Sequence, residues 1–238
     1  MNELAKKIAC YEPDELNIND IYHGDCLDLM KKIPNESIDM ILTDPPYSIN
    51  FRSGYRKNKY DAIKNDDNLN WLDTFVNEAF RVAKNNTTHY VFCSFHNIDK
   101  FKAAFQKKFT VKNLLVWVKN NTSMGDLKAN YASRTEFILL LGKGRRLING
   151  KRSDNILEFK RTGNKLHPTE KPVDLLKHLI SKFSDINDVV LDPFAGSGST
   201  LVAAKEMNRR YIGIEIDKKY FEIAKNRLES VKTKLYLF

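Results

Sequence analysis

The tetrapeptide Asp44-Pro45-Pro46-Tyr47 gathers a carboxylate, two prolyl carbonyls and a phenol ring in consecutive positions. Two prolines fix φ and remove backbone donors, so the segment is expected to form a rigid turn that presents acceptors. An exocyclic aryl amine suits such a corner. Its lone pair is delocalised into the ring, which makes it a poor nucleophile. The Asp44 carboxylate and the Pro45 carbonyl could hold its two N–H groups, push the nitrogen toward tetrahedral geometry and aim the lone pair at a methyl donor. Tyr47 could stack on the base. Taken alone, the same four residues also suit an ordinary Pro-rich turn after a core strand.

A second corner lies far along the chain. Val189-Val190-Leu191 runs into Asp192-Pro193-Phe194-Ala195-Gly196-Ser197-Gly198-Ser199-Thr200, a strand entering a loop of small residues and then a helix. Gly196 and Gly198 allow a tight turn and close approach of a ligand, with a helix N-terminus behind. Glu215 follows Gly196 by 19 residues, where an acid at the end of the neighbouring strand accepts hydrogen bonds from a ribose diol. The pair reads as a nucleoside-cofactor site. Leu201 stands where a nicotinamide site usually has a third glycine, and no phosphate-binding Lys follows the loop. S-adenosylmethionine, which has no pyrophosphate, fits better than either dinucleotide or nucleoside triphosphate.

These corners need strands that end side by side. Compact apolar or β-branched runs predict strands at Asn19–His23, Ile38–Thr43, His89–Phe95, Val111–Val118, Phe137–Leu141, Asp188–Leu191 and Tyr211–Ile216. Helices are predicted over Leu27–Lys32, Asn70–Lys84, Asp99–Phe109, Pro172–Phe183, Thr200–Met207 and Tyr220–Val231. Such alternation implies an α/β fold, a mostly parallel sheet with helices on both faces and ligands at the carboxyl ends of the strands. No helix separates Val111–Val118 from Phe137–Leu141, so these two should pair antiparallel.

Composition narrows the function classes. The chain has 238 residues, 42% apolar and 29% charged, which suits one large packed domain and excludes a disordered polymer. No apolar run approaches the roughly 20 residues of a membrane helix, and the charged N-terminus does not read as a secretory signal. Cys10, Cys26 and Cys93 lack disulfide or metal spacing and fit a reducing cytoplasm. Net charge is +9, and eleven basic against four acidic residues fall between Lys119 and Lys165. With a second basic loop, Arg52–Lys64, interleaved by Tyr55 and Tyr60, this suits phosphate neutralisation and base stacking along a nucleic acid. A solvated face is the plainer account of each stretch.

Taken together, the motifs resemble the DNA amino-methyltransferases of restriction–modification type in the β-group order. In that family the DPPY motif comes first, a basic target-recognition segment follows, and the cofactor loop comes last. The resemblance spans about Asn19 to Leu228. It implies a Rossmann-like S-adenosylmethionine-dependent fold, mostly parallel with one antiparallel strand. It further implies one catalytic domain over residues 1–238, with an embedded recognition region at about 119–165. Asp44, Pro45, Pro46 and Tyr47 would be catalytic. The cofactor would be held by Asp25 and Cys26, by Thr169 and Lys171 of His167-Pro168-Thr169-Glu170-Lys171-Pro172, by Asp192, Phe194, Gly196, Ser197, Gly198, Ser199 and Thr200, and by Glu215. Asp25 would receive the cofactor's adenine amino group, although its position also suits a helix N-cap. Lys171 would meet the cofactor's carboxylate. Phe194 would pack beside the methionine moiety. His167 would order its loop, and no metal is expected.

The implied substrate is double-stranded DNA, with single strands also open, gripped by Arg52, Arg56, Lys119, Lys128, Arg134, Arg145, Arg146, Lys151 and Arg152. The target base would be rotated out of the stack so that its amine reaches the methyl group. Asp at the first motif position leans toward adenine N6; N4-cytosine and RNA amines are the alternatives on the same scaffold. A nicotinamide oxidoreductase would leave Asp44–Tyr47 without a role, and a silent DNA-binding module would leave the glycine loop without one. A homodimer, a separate restriction endonuclease and a cytoplasmic bacterial or phage setting accompany the resemblance.

Overall fold

A computed structural model describes residues 15–47, 69–122, 128–163 and 170–231. Among the described residues, eight strands form one sheet: β1 (Asp20–His23), β2 (Met40–Thr43), β3 (Thr87–Cys93), β4 (Thr110–Val118), β5 (Thr135–Lys143), β6 (Ile156–Glu158), β7 (Val189–Asp192) and β8 (Arg210–Glu215). Their spatial order is β1-β8-β7-β2-β3-β5-β4-β6. Of these, β5 runs against its neighbours, pairing antiparallel with β3 and β4, while the remaining pairs are parallel. The expected mostly parallel sheet with one antiparallel strand is what forms.

Helices α1 (Cys26–Leu29), α2 (Leu72–Val82), α3 (Ile98–Gln106), α4 (Val173–Phe183), α5 (Ser199–Glu206) and α6 (Lys218–Ser230) flank the sheet. A 3₁₀ turn, Met30–Lys32, extends α1, so the predicted helix Leu27–Lys32 splits in two. Strand side chains alternate between two apolar layers, as a sheet buried on both faces requires. Ile41, Val91, Leu191, Ile212 and Ile214 point to α2 and α3, which bring Phe75, Val82, Phe101 and Phe105. Met40, Leu42, Tyr90, Phe92 and Val190 point to α4, α5 and α6, with Leu175, Leu179, Leu201 and Ala224.

Gly213 explains the missing third glycine. A Cβ there would come within 2.3 Å of Leu201 Cδ1. The close helix–strand approach is therefore made by a bare position on β8, leaving α5 free to carry a leucine.

Strand β6 is a departure from expectation. Within the basic stretch the sequence predicts the one strand Phe137–Leu141, but Ile156–Glu158 adds a second, parallel to β4. Only Leu157 of the three is buried, so its sequence has almost no apolar signal. Trp117 Nε1 donates to the Phe159 carbonyl at 2.8 Å and fixes it. Among the described residues, no helix is long and apolar enough to cross a membrane.

Candidate active site at the carboxyl edge of the sheet

Parallel pairing brings four strand ends side by side, and each delivers an acid. Asp25 follows β1, Glu215 ends β8, Asp192 ends β7 and Asp44 follows β2. The central pair, β7 and β2, is in register at Met40 with Val190 and Ile41 with Leu191. The two corners are then joined directly across 149 residues of sequence: Thr43 Oγ1 donates to Asp192 Oδ1 at 2.8 Å, a buried hydrogen bond.

Around Asp44 both carboxylate oxygens are engaged. The Tyr47 hydroxyl donates to Oδ1 and the Lys171 ammonium contacts Oδ2. The Tyr47 carbonyl accepts from the amide of Asn97, a buried residue in the turn after β3. Lys171 also lies 3.2 Å from Glu136 Oε2, and Glu136 Oε1 lies 2.5 Å from Lys119 Nζ. Burial dominates at Asp44 and lifts its pKa above the ordinary carboxylate value, despite Lys171. At Glu136 burial is again the largest influence, but Lys171 and Lys119 together outweigh it and hold the pKa low. Burial alone would favour a neutral amine at Lys171; the two carboxylates reverse that and keep it a cation. Tyr47 stays a neutral phenol, since burial and Asp44 both push its pKa well up.

The glycine corner is built for close packing. Gly198 caps α5 at φ +78°, and a Cβ there would meet Ala224 Cβ of α6 at 2.9 Å. Glu215 holds the loop: Oε2 accepts from Gly196 N and Oε1 from Asp217 N, each at 2.7 Å. Asp192 is fully enclosed. Burial lifts its pKa to about 6 even though Thr200, Thr43 and the Phe194 amide donate to it. Arg227 of α6 bridges the loop to the Lys171 segment, with Nη1 3.0 Å from Ser199 Oγ, 3.2 Å from the Ser197 carbonyl and 3.2 Å from Glu170 Oε1. The Phe194 ring packs on Trp71 and Phe75 of the α2 region, with centroids 5.4 and 5.3 Å away. Asp25 Oδ1 caps α1 by accepting from Leu27 N at 2.8 Å. Cys26 is buried, and that burial pushes its thiol far up.

Lys171, expected at the cofactor's carboxylate, contacts Asp44 and Glu136. The basic residues expected to grip DNA divide between the two edges of the sheet. Lys119 is engaged by Glu136, with its side chain 22% exposed. Lys128 and Arg134 are exposed at the catalytic edge, Arg134 donating to the Lys119 carbonyl at 3.0 Å. Arg145, Arg146 and Lys151 lie at the opposite edge. The reason is strand direction: β5 runs antiparallel for nine residues and carries the chain across the sheet. There Arg145 N donates to Asn86 Oδ1, Arg146 pairs with Asp185 at 2.8 Å, and the Lys151 carbonyl accepts from Lys182 at the end of α4. Arg152 is exposed beside Lys151. The return strand β6 brings Arg161 back to the catalytic edge, where its backbone N–H donates to Asn120 Oδ1. Phe95 and Tyr131, 73% and 98% exposed, stand on that same edge. Thr169, His167, Arg52 and Arg56 lie outside the described residues.

Sequence reading missed Glu136, Asn97, Arg227 and Thr43. Glu136 had one available signal, as one of only four acids in a basic stretch. The others are ordinary residues whose role exists only in three dimensions.

A sheet of this order, with a rigid Asp-Pro-Pro-Tyr corner tied to a glycine loop, defines an enzyme that brings an amine to a nucleoside-type cofactor. The chain belongs to the DNA methylase family, whose sequence model matches residues 38–226. YubD of Escherichia coli strain K12 is 41% identical over 211 residues, covering 88% of this chain and 89% of YubD. The DNA adenine methyltransferase YhdJ of the same strain is 33% identical over 247 residues, covering 88% of this chain and 82% of YhdJ. The crystal structure of the M1.HpyAVI–SAM complex superposes with a TM-score of 0.68 at 32% identity, covering 87% of this chain and 98% of that one.

Proposed function

We propose that the chain transfers a methyl group from S-adenosylmethionine to the N6 amine of adenine in DNA, acting as one catalytic domain with its recognition segment embedded at about 119–165. The observation that carries this reading is the Thr43–Asp192 hydrogen bond, which joins the amine-binding corner to the cofactor loop.

The donor set fits the cofactor. S-adenosylmethionine presents a sulfonium, an ammonium, a diol and an aryl amine, all cationic or hydrogen-bond donors, against a single carboxylate. Asp25, Glu215, Asp192 and Asp44 offer acceptors of the complementary sign along adjacent strand ends, an arrangement that would repel a pyrophosphate. Each Glu215 oxygen takes one backbone N–H, and a carboxylate oxygen can accept a second donor such as a ribose hydroxyl. When bound, the cofactor supplies an electrophilic methyl group.

The chain's own residues do the rest. Asp44 and the Pro45 carbonyl receive the two N–H groups of the target amine and orient its lone pair. Asn97 holds the Tyr47 carbonyl, so the stacking ring keeps its place under the base. Asp44 need not be a strong base, because the attacking nitrogen becomes acidic only as it takes the methyl group and gains positive charge. The base must leave its stack at a cost of a few kcal/mol. Exposed Phe95 and Tyr131, with Lys128, Arg134 and Arg161, form a rim suited to the opened duplex. Adenine rests on Asp44 at the first motif position and on the likeness to an enzyme named as a DNA adenine methyltransferase.

The direct test incubates the protein with labelled S-adenosylmethionine and unmethylated genomic DNA, then sequences the product for modified bases. The expected result is N6-methyladenine in one short sequence context. N4-methylcytosine would overturn the base assignment, and label only in RNA or protein would overturn the substrate.

A further inference from the structure

Four buried or half-buried charges cross the carboxyl edge in a single row of alternating sign. Asp44 follows β2, Lys171 lies over the Phe92 ring of β3 at 5.0 Å, Glu136 opens β5 and Lys119 follows β4. The row matches the spatial order β2-β3-β5-β4. Lys171 sits between two carboxylates, in contact with Asp44 Oδ2 and 3.2 Å from Glu136 Oε2. Its side chain is 6% exposed, so it has no recourse to water.

This arrangement conflicts with the work asked of Asp44. One oxygen already accepts from Tyr47 and the other from Lys171, so an incoming amine competes with a bound cation for the carboxylate's remaining lone pairs. Of the two contacts, the lysine is the one with a second partner in reach. A buried ammonium that lost its carboxylate without a replacement would carry a large desolvation penalty. A replacement is already in place. Glu136 comes from a strand that neither motif belongs to, and its other oxygen is already paired with Lys119.

We infer that Glu136 is a positioning residue that provides a second seat for Lys171: arrival of the target amine at Asp44 displaces the lysine onto Glu136, and departure of the product lets it return. This rests on the methyl-transfer reading of the Asp44 corner. The displacement is small because the second carboxylate is already 3.2 Å from the ammonium. It also gives Lys119 an internal task, as the fixed counter-charge of Glu136, in place of the phosphate contact its position in the sequence suggests.

Glu136→Gln tests this, since it keeps size and hydrogen bonding and removes the charge. The assay is steady-state methylation of a duplex bearing the mapped target context. The expected result is a fall in kcat of tenfold or more, with the cofactor dissociation constant and the KM for DNA within twofold of wild type. Lys119→Met should move kcat in the same direction by less. A purely structural role would instead lower both affinities along with kcat, and that outcome overturns the inference. An equally active Glu136→Gln enzyme also overturns it.

NMR of the lysine ammonium groups gives a readout that survives if the variant fails to fold. The Lys171 resonance, assigned by its loss in Lys171→Arg, should shift in the wild type when the target duplex and a non-reactive cofactor analogue bind. An unmoved resonance overturns the inference. Wild-type protein that methylates no DNA would overturn the functional reading itself, whereas an active wild type with an unimpaired Glu136→Gln defeats this inference alone.

Discussion

Replacing Asp192 with asparagine should stabilise the protein while disabling its site, and the pH dependence of the gain is specific enough to refute the reasoning. The carboxyl is enclosed at the end of β7, and burial lifts its pKa from the ordinary 3.8 to about 6. Between those values the folded state binds a proton that the unfolded chain has released, so stability falls as pH rises through the window. A shift of about two units corresponds to roughly 3 kcal/mol of destabilisation above pH 6. The substituted amide would retain acceptance from Thr43 and the Phe194 amide, and its new N–H₂ could donate to the Thr200 hydroxyl. The imperfect fit of that side chain reduces the expected gain to about 1–3 kcal/mol at pH 8, or a Tm rise of about 3–10 °C for a chain of this size. The gain should shrink between pH 6 and 4 and disappear below about 4, where both states of the wild type are protonated. Urea unfolding of both proteins at pH 4, 6 and 8 measures it. A difference that is the same at all three values would refute the burial account of Asp192. Calorimetry on the same variant should show weaker S-adenosylmethionine binding, the usual consequence of removing a group kept strained for function.

Asp44→Ala should abolish methyl transfer while cofactor affinity stays within a few-fold of wild type, because Asp192 and Glu215 are untouched; residual turnover near the wild-type level would remove Asp44 from the chemistry. Glu215→Ala should weaken cofactor binding at least tenfold in calorimetry, since it loses the diol acceptor and releases Gly196 and Asp217 together. Gly198→Ala should cost about 1–3 kcal/mol in denaturant unfolding, from the left-handed backbone and the clash with Ala224. Arg146→Met and Arg134→Met separate the two edges. Arg146→Met should lower stability by about 1 kcal/mol through loss of its pairing with Asp185 and Asp188, with DNA affinity unchanged. Arg134→Met should leave stability alone and reduce the salt slope of DNA binding by about one phosphate contact.

The fold was legible because both sheet faces are buried. Runs such as Met40–Thr43 and Val189–Asp192 are buried throughout, and each is followed by a turn rich in Gly or Pro. Strand β6 was not legible, since one inward leucine in three residues leaves no period to detect. The Asp44 and Gly196 corners stood out because their residue types are rare in sequence and chemically explicit. Glu136 and Asn97 did not, because a glutamate opening a strand and an asparagine in a turn mean something only beside Lys171 and Tyr47. The basic stretch was the most misleading feature. A linear count of charge does not register strand direction, and β5, at about 3.4 Å per residue, takes the chain roughly 30 Å from one edge to the other. The antiparallel pairing expected for β4 and β5 held the clue: two antiparallel strands at the sheet's end must send the next loop to the far side.

The same edge has to hold a cationic cofactor and receive a polyanion, and these demands oppose each other. A row of acids that attracts the sulfonium would repel DNA phosphates lying within about 8 Å, the screening length at physiological salt. The strand order resolves the conflict by position. Asp25 and Glu215 stand at the β1 and β8 end, away from the basic rim, where backbone N–H groups hold their carboxylates. Asp44 and Glu136 stand toward β5 and β4, and there Lys171 and Lys119 cancel them. The acidic field is thus confined to the cofactor half, and the half that meets the rotated base is close to neutral. Lys171 lies at the junction. While it neutralises Asp44 the base can approach without repulsion, and once it has moved to Glu136 the Asp44 carboxylate is free to take the amine. Neutrality on approach and acceptance on arrival are then properties of one lysine with two carboxylates within reach, which a single fixed ion pair could not provide.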